Sequence, residues 1–120
     1  MNLKKIKEIL EAEILIGEDQ LDLNVETAFG ADLMSDVLAF VKSDTVLLTG
    51  LTNSQVIRTA EMSDVSVIIF VRGKNPSEEV IELGRTNKLV LMKTKDIMYV
   101  ACGKLFENGL KGVDIQGVER

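Results

Sequence analysis

Four short polar segments hold the residues through which this 120-residue chain would do chemistry: Gly30-Ala-Asp32, Thr49-Gly-Leu-Thr-Asn53, Val71-Arg-Gly-Lys-Asn75 and Lys93-Thr-Lys95. They carry Arg72, Lys74, Lys93 and Lys95 on a chain of net charge −5, with the hydroxyls of Thr49, Thr52 and Thr94 beside them. Guanidinium, ammonium and hydroxyl donors suit an anionic group, a nucleotide phosphate above all. The candidate ligand-binding set is therefore Gly30, Asp32, Thr49, Gly50, Thr52, Asn53, Arg72, Gly73, Lys74, Asn75 and Thr94. Taken one at a time, these residues have simpler readings. Asp32, Thr52, Asn75 and Thr94 are good helix caps, and a lysine in a loop is usually just solvated.

Catalysis finds little to work with. Histidine is absent, which removes the usual general base, the usual zinc ligand and the Ser-His and Cys-His nucleophile pairs. Gly50 is not followed by the Gly-Lys-Ser/Thr of a phosphate loop, and no Gly-x-Gly-x-x-Gly occurs. Asp32 and Asp36, four apart, could share a metal, but a cap plus a surface carboxylate describes them better. The single Cys102 has no thiol or imidazole partner in its segment and reads as core packing. The reading is thus a non-enzymatic domain with no metal and no cofactor. Two alternatives remain: a small phosphoryl- or acyl-transfer enzyme using Lys74, Arg72, Asp32 and Thr52, and a purely structural interaction module.

The elements that must position these loops are regular. Thr45 to Thr49, Val65 to Val71 and Leu89 to Met92 are almost unbroken runs of Val, Ile and Leu. Each is followed by a capping signal and an amphipathic segment: Thr52-Asn-Ser-Gln55, then Asn75-Pro-Ser-Glu78 with Pro76 at the first helical position, then Thr94. The last helix, carrying Ile97, Ala101 and Leu105, stops at Asn108-Gly109. Continuous apolar strands alternating with helices demand a mainly parallel sheet covered on both faces. Earlier, Leu3, Ile6, Ile9 and Leu10 form one stripe of a helix over residues 1–12, and Ile14 to Ile16 and Val25 to Phe29 are further strands. Leu33, Val37 and Phe40 mark a helix capped by Asp32. The fold expected is an α/β three-layer sandwich with four to five strands, and 111–120 reads as a loose tail. In such a sheet ligands collect beyond the carboxyl ends of the strands, so the four polar segments should share one rim.

Composition sets the outer limits. One domain fills this length, and 46% hydrophobic content supplies its core. Five aromatic residues, no Trp and an acidic balance argue against nucleic acid as a partner. No apolar run is long enough to span a membrane, and a lone cysteine points to no oxidising compartment, which leaves the cytoplasm as the expected location.

Read in order, Gly30-Ala-Asp-Leu-Met-Ser-Asp36, Leu47-Leu-Thr-Gly50, Ile69-Phe-Val-Arg-Gly73 with Pro76, and Lys93-Thr-Lys-Asp96 resemble a DRTGG domain over about Ile14 to Asn108. Leu51-Thr52 stands where that pattern shows Asp-Arg, and Val71-Arg72-Gly73-Lys74 where it shows Thr-Gly-Gly. The resemblance implies a regulatory module, found appended to enzymes such as phosphate acetyltransferases and CBS-domain pyrophosphatases and similar in fold to the N-terminal domain of HPr kinase. In the pyrophosphatase relatives, neighbouring CBS domains bind adenine nucleotides and DRTGG domains pair across a dimer. For this chain it implies a homodimer that senses a small anion such as an adenine nucleotide or docks on a partner enzyme.

Overall fold

The three apolar runs become β3 (Thr45–Thr49), β4 (Val67–Phe70) and β5 (Val90–Lys93), and every residue in them except Lys93 is buried. A strand apolar on both sides has to be covered on both sides, and this dictates the architecture. The structure, a computed structural model, describes residues 1–115. Besides the three central strands it contains β1 (Glu13–Ile16), β2 (Thr27–Gly30), β6 (Lys111–Gly112), and helices α1 (Leu3–Leu10), α2 (Met34–Phe40), α3 (Ser54–Met62), α4 (Glu78–Thr86) and α5 (Met98–Glu107). The strands form one sheet in the order β1-β5-β4-β3-β2-β6. β2 to β5 and β6 are parallel, while β1 runs antiparallel to β5.

Alternation of side chains along the strands divides the core into two layers. Val46, Leu48, Val67, Ile69, Val90 and Met92 pack with Leu3, Ile6 and Leu10 of α1 and with Ala101 and Leu105 of α5. Leu47, Ile68, Phe70 and Leu91 point the other way, against α2, α3 and α4. Each large side chain fully removed from water contributes about 1.5–3 kcal/mol, so the two layers supply most of the driving force. The expected sandwich is what the chain builds, with one strand more than expected. That strand corrects the reading of 111–120 as a loose tail: Lys111 and Gly112 pair with Thr27 and Ala28 at the sheet edge. Residues 116–120 of that tail lie outside the described residues.

Four expected caps are corrected as well. α2 begins after Leu33, not Asp32; α3 after Asn53, not Thr52; α4 after Ser77, not Asn75; and α5 after Ile97, not Thr94. Only at α4 does the new cap make the bond, Ser77 Oγ accepting from the Val80 N–H at 3.3 Å. The displaced residues Asp32, Asn75 and Thr94 are spent on bonds between segments far apart in the chain.

Candidate ligand site

Because β2, β3, β4 and β5 run the same way, the loops that follow them emerge on one rim of the sheet. Backbone bonds then stitch the loops together. Val71 N–H donates to the Thr49 carbonyl at 3.0 Å, Gly73 N–H to the Thr94 carbonyl at 2.8 Å, and Arg72 N–H to the Asp96 carbonyl at 2.7 Å. The chain leaves β4 toward α4 on one face of the sheet and leaves β5 toward α5 on the other. Adjacent strands whose connections part to opposite faces open the crevice where ligands of α/β sheets bind. Here it falls between β4 and β5.

The β4–α4 connection enters that crevice through a tight turn. Lys74 N–H reaches the Val71 carbonyl at 3.3 Å, and both central residues are left-handed, Arg72 with φ 62° and Gly73 with φ 66°. This is the pattern of a type I′ turn. Glycine takes such a φ freely, whereas arginine is uncommon there. The two cross-loop bonds hold Arg72 in place, and its side chain projects from the rim. Arg72, Lys74 and Lys95 are exposed, and among the described residues their side chains have no partner within bonding distance.

The remaining candidates hold the loops. Asp32 accepts the Thr49 hydroxyl at 3.0 Å and the Gly50 N–H at 2.7 Å, locking the β2 and β3 loops together, and Leu51 N–H closes back on Thr49 Oγ1 at 3.2 Å. Lys93 Nζ donates to Asn75 Oδ1 at 2.5 Å and lies 3.9 Å from Glu13. Thr94, only 2% exposed, donates its hydroxyl to the Leu10 carbonyl at 2.9 Å and accepts the Asp96 N–H at 3.3 Å. Thr52 and Asn53 sit at the start of α3, where no side-chain cap occupies the first N–H groups. Gly30 is placed under α5: a Cβ there would come within 2.8 Å of Cys102 Sγ and 3.0 Å of Met98 Sδ.

A cleft of about 190 Å³ opens beside the crevice, lined by Gly73, Lys93, Thr94 and Lys95 together with Glu11 and Glu13. The two glutamates were missed from the sequence, because only the docking of α1, tied by the bond from Thr94 to Leu10, brings them to the rim. Nearby, Asp96 pairs with Lys104 at 2.8 Å, and this hydrogen bond raises the Lys104 ammonium above its ordinary range. Burial pushes the Cys102 thiol up. Among the described residues no three His, Cys, Asp or Glu side chains are grouped to hold a metal, and no helix is long and apolar enough to cross a membrane.

A six-stranded, mostly parallel sheet between two helical layers, with its loops gathered at one rim, defines an α/β three-layer domain. Residues 5–104 match the family model described as the DRTGG domain, and the chain belongs to that family. A solved structure that it resembles is the CBS and DRTGG domain portion of the regulatory region of Clostridium perfringens pyrophosphatase, complexed with the activator diadenosine tetraphosphate. The TM-score is 0.73 at 20% identity, covering 99% of this chain and 50% of that one. The chain therefore spans half the length of that neighbour. No match is found among curated proteins.

Proposed function

We propose that this chain is a regulatory, ligand-sensing module without catalysis of its own, working in the cytoplasm as a homodimer. Its ligand is an anionic small molecule, such as an adenine nucleotide, taken at the rim where β4 and β5 part. One observation carries the site: the backbone N–H groups of Arg72 and Gly73 are consumed by Asp96 and Thr94, while the cations of Arg72, Lys74 and Lys95 stand exposed around them. An anion is then recognised by side chains and by the uncapped start of α3 at Thr52 and Asn53, rather than by a backbone nest. Asp32, Thr49, Asn75 and Thr94 act as positioning residues that fix the loops. The family and the neighbouring regulatory region, which was complexed with a dinucleotide activator, support a sensing role.

A melting-temperature screen tests this. An adenine nucleotide at about a hundred times its dissociation constant should stabilise the fold by roughly 2.7 kcal/mol, and the Arg72→Ala, Lys74→Ala double variant should lose that gain while melting normally when unliganded. A shift that survives the double variant would move the ligand elsewhere. If no nucleotide shifts the transition, the second reading stands, in which the domain works by docking on a partner enzyme. That reading is favoured by the apolar surface of α5, where Tyr99 is 84% and Phe106 70% exposed.

A further inference from the structure

The cleft beside the crevice is lined by two carboxylates and two ammonium groups, those of Glu11, Glu13, Lys93 and Lys95. The chain brings the acids there in a short run. Thr94 holds the Leu10 carbonyl at 2.9 Å, Glu11 turns the chain out of α1 in the left-handed region at φ 48°, and Ala12 between the two glutamates is buried. Both acids are exposed. Glu13 then pairs across the sheet with Lys93, whose ammonium lies 3.9 Å from the Glu13 carboxylate. Asp96, and after it Glu11, hold the Lys104 ammonium above its ordinary range.

Charge on the rim therefore falls into two zones. In the cleft the two ammonium groups and the two carboxylates cancel, and the neighbouring Asp96 and Lys104 cancel each other at 2.8 Å. Arg72 and Lys74, exposed beside the cleft, are the cations left over. The uncapped start of α3 adds about half a positive charge. Asp32, bonded to Gly50, and Glu78 and Glu79 in the first turn of α4 are all acidic and lower that supply. One phosphate group carries about −1.5 to −2 near pH 7, which Arg72 and Lys74 match. Each further phosphate adds charge that no cation here is left to meet.

We infer that the ligand is a sugar bearing a single phosphate, with the phosphate on Arg72 and Lys74 and the sugar hydroxyls in the cleft among Glu11, Glu13, Lys93 and Lys95. This rests on the ligand-sensing reading above and narrows the ligand it takes. A carboxylate only accepts hydrogen bonds and an ammonium only donates them, whereas a hydroxyl does both. A vicinal diol can therefore give its protons to the glutamates while it accepts from the lysines. A second phosphate in that place would face two like charges. Size agrees, because about 190 Å³ holds about six waters at about 30 Å³ each, room for a sugar ring but not for a sugar with its base. Among the described residues no aromatic side chain lines the cleft, so nothing there stacks a nucleobase.

Titration calorimetry on the 120-residue chain tests this with AMP, ATP, ribose 5-phosphate and dideoxy-AMP, which lacks both ribose hydroxyls. AMP should bind about tenfold more tightly than ATP, and loss of the two hydroxyls should cost about tenfold. Ribose 5-phosphate binding as well as AMP would make the ligand a free sugar phosphate, and AMP binding better would make it a nucleoside monophosphate with its base outside the cleft. The Glu11→Gln, Glu13→Gln double variant changes two exposed positions. It should keep the wild-type circular dichroism and erase the preference for AMP over ATP. A wild type that prefers ATP, a preference for AMP that survives the double variant, or dideoxy-AMP binding as well as AMP would overturn this inference. The ligand-sensing reading would then still stand, provided that binding is lost with Arg72→Ala, Lys74→Ala. Binding of none of the four probes would overturn both.

Discussion

The rim above β4 and β5 and the groove over α5 lie on the same small domain and are built in opposite ways. At the rim, most polar groups are committed: Asp32 to Thr49 and Gly50, Asn75 to Lys93, Thr94 to Leu10, and the turn N–H groups to Thr94 and Asp96. The groove is apolar, floored by small residues and walled by two exposed rings. The lesson is that a polar site keeps its shape by consuming its own donors, which leaves only the projecting cations to meet a ligand. An apolar surface keeps its driving force by leaving its side chains uncovered.

Breaking the rim should cost the fold most. Thr94→Val strands the Leu10 carbonyl in the interior and should lower unfolding stability by about 1–3 kcal/mol in a urea titration, loosening α1 and with it Glu11 and Glu13. Gly30→Val, which drives a side chain into Cys102 and Met98 beneath the groove, should cost about 1–2 kcal/mol through overpacking, less than a rigid clash because Met98 can turn aside. Asp32→Ala removes two bonds at an exposed position and should cost about 0.5–1.5 kcal/mol by the same titration. On the groove, Tyr99→Ala measured on dilute protein should stay within about 0.5 kcal/mol of wild type, as surface changes do. A loss there as large as at Thr94 would mean the ring belongs to the fold and not to a contact.

The smallest effect is a pH dependence. Asp96 raises the Lys104 ammonium in the folded state, so the pair's contribution is complete below the ordinary lysine range and fades as pH climbs through the raised value. Lys104→Met should flatten that alkaline slope, seen as melting temperature against pH. A slope that persists would assign it to another group.

The architecture was legible because it rests on hydrophobic continuity. Val65 to Val71 can lie only between two helical layers, and its neighbours repeat the pattern. Helix starts were less legible. Asp32, Asn75 and Thr94 carry every local mark of a cap, yet each is drawn into a bond with a residue 17, 18 or 84 positions away, and no local pattern encodes such a partner. Strand β6 escaped notice because two residues give no period. The cations of the rim were visible from composition and spacing, while Glu11 and Glu13 came into view only when α1 docked. Cys102 reads as core packing and is indeed half-buried against the core, whereas the exposure of Tyr99 and Phe106 on the same helix came into view only with the fold.

The most direct test follows backbone amide shifts by NMR as an adenine nucleotide is added to the 120-residue chain. The account predicts changes clustered at Gly50 to Asn53, Arg72 to Asn75 and Lys93 to Asp96, with the amides of Tyr99, Cys102, Gly103 and Phe106 left in place. Changes confined to those four, or none at saturating nucleotide, would contradict a ligand site at the parting of β4 and β5.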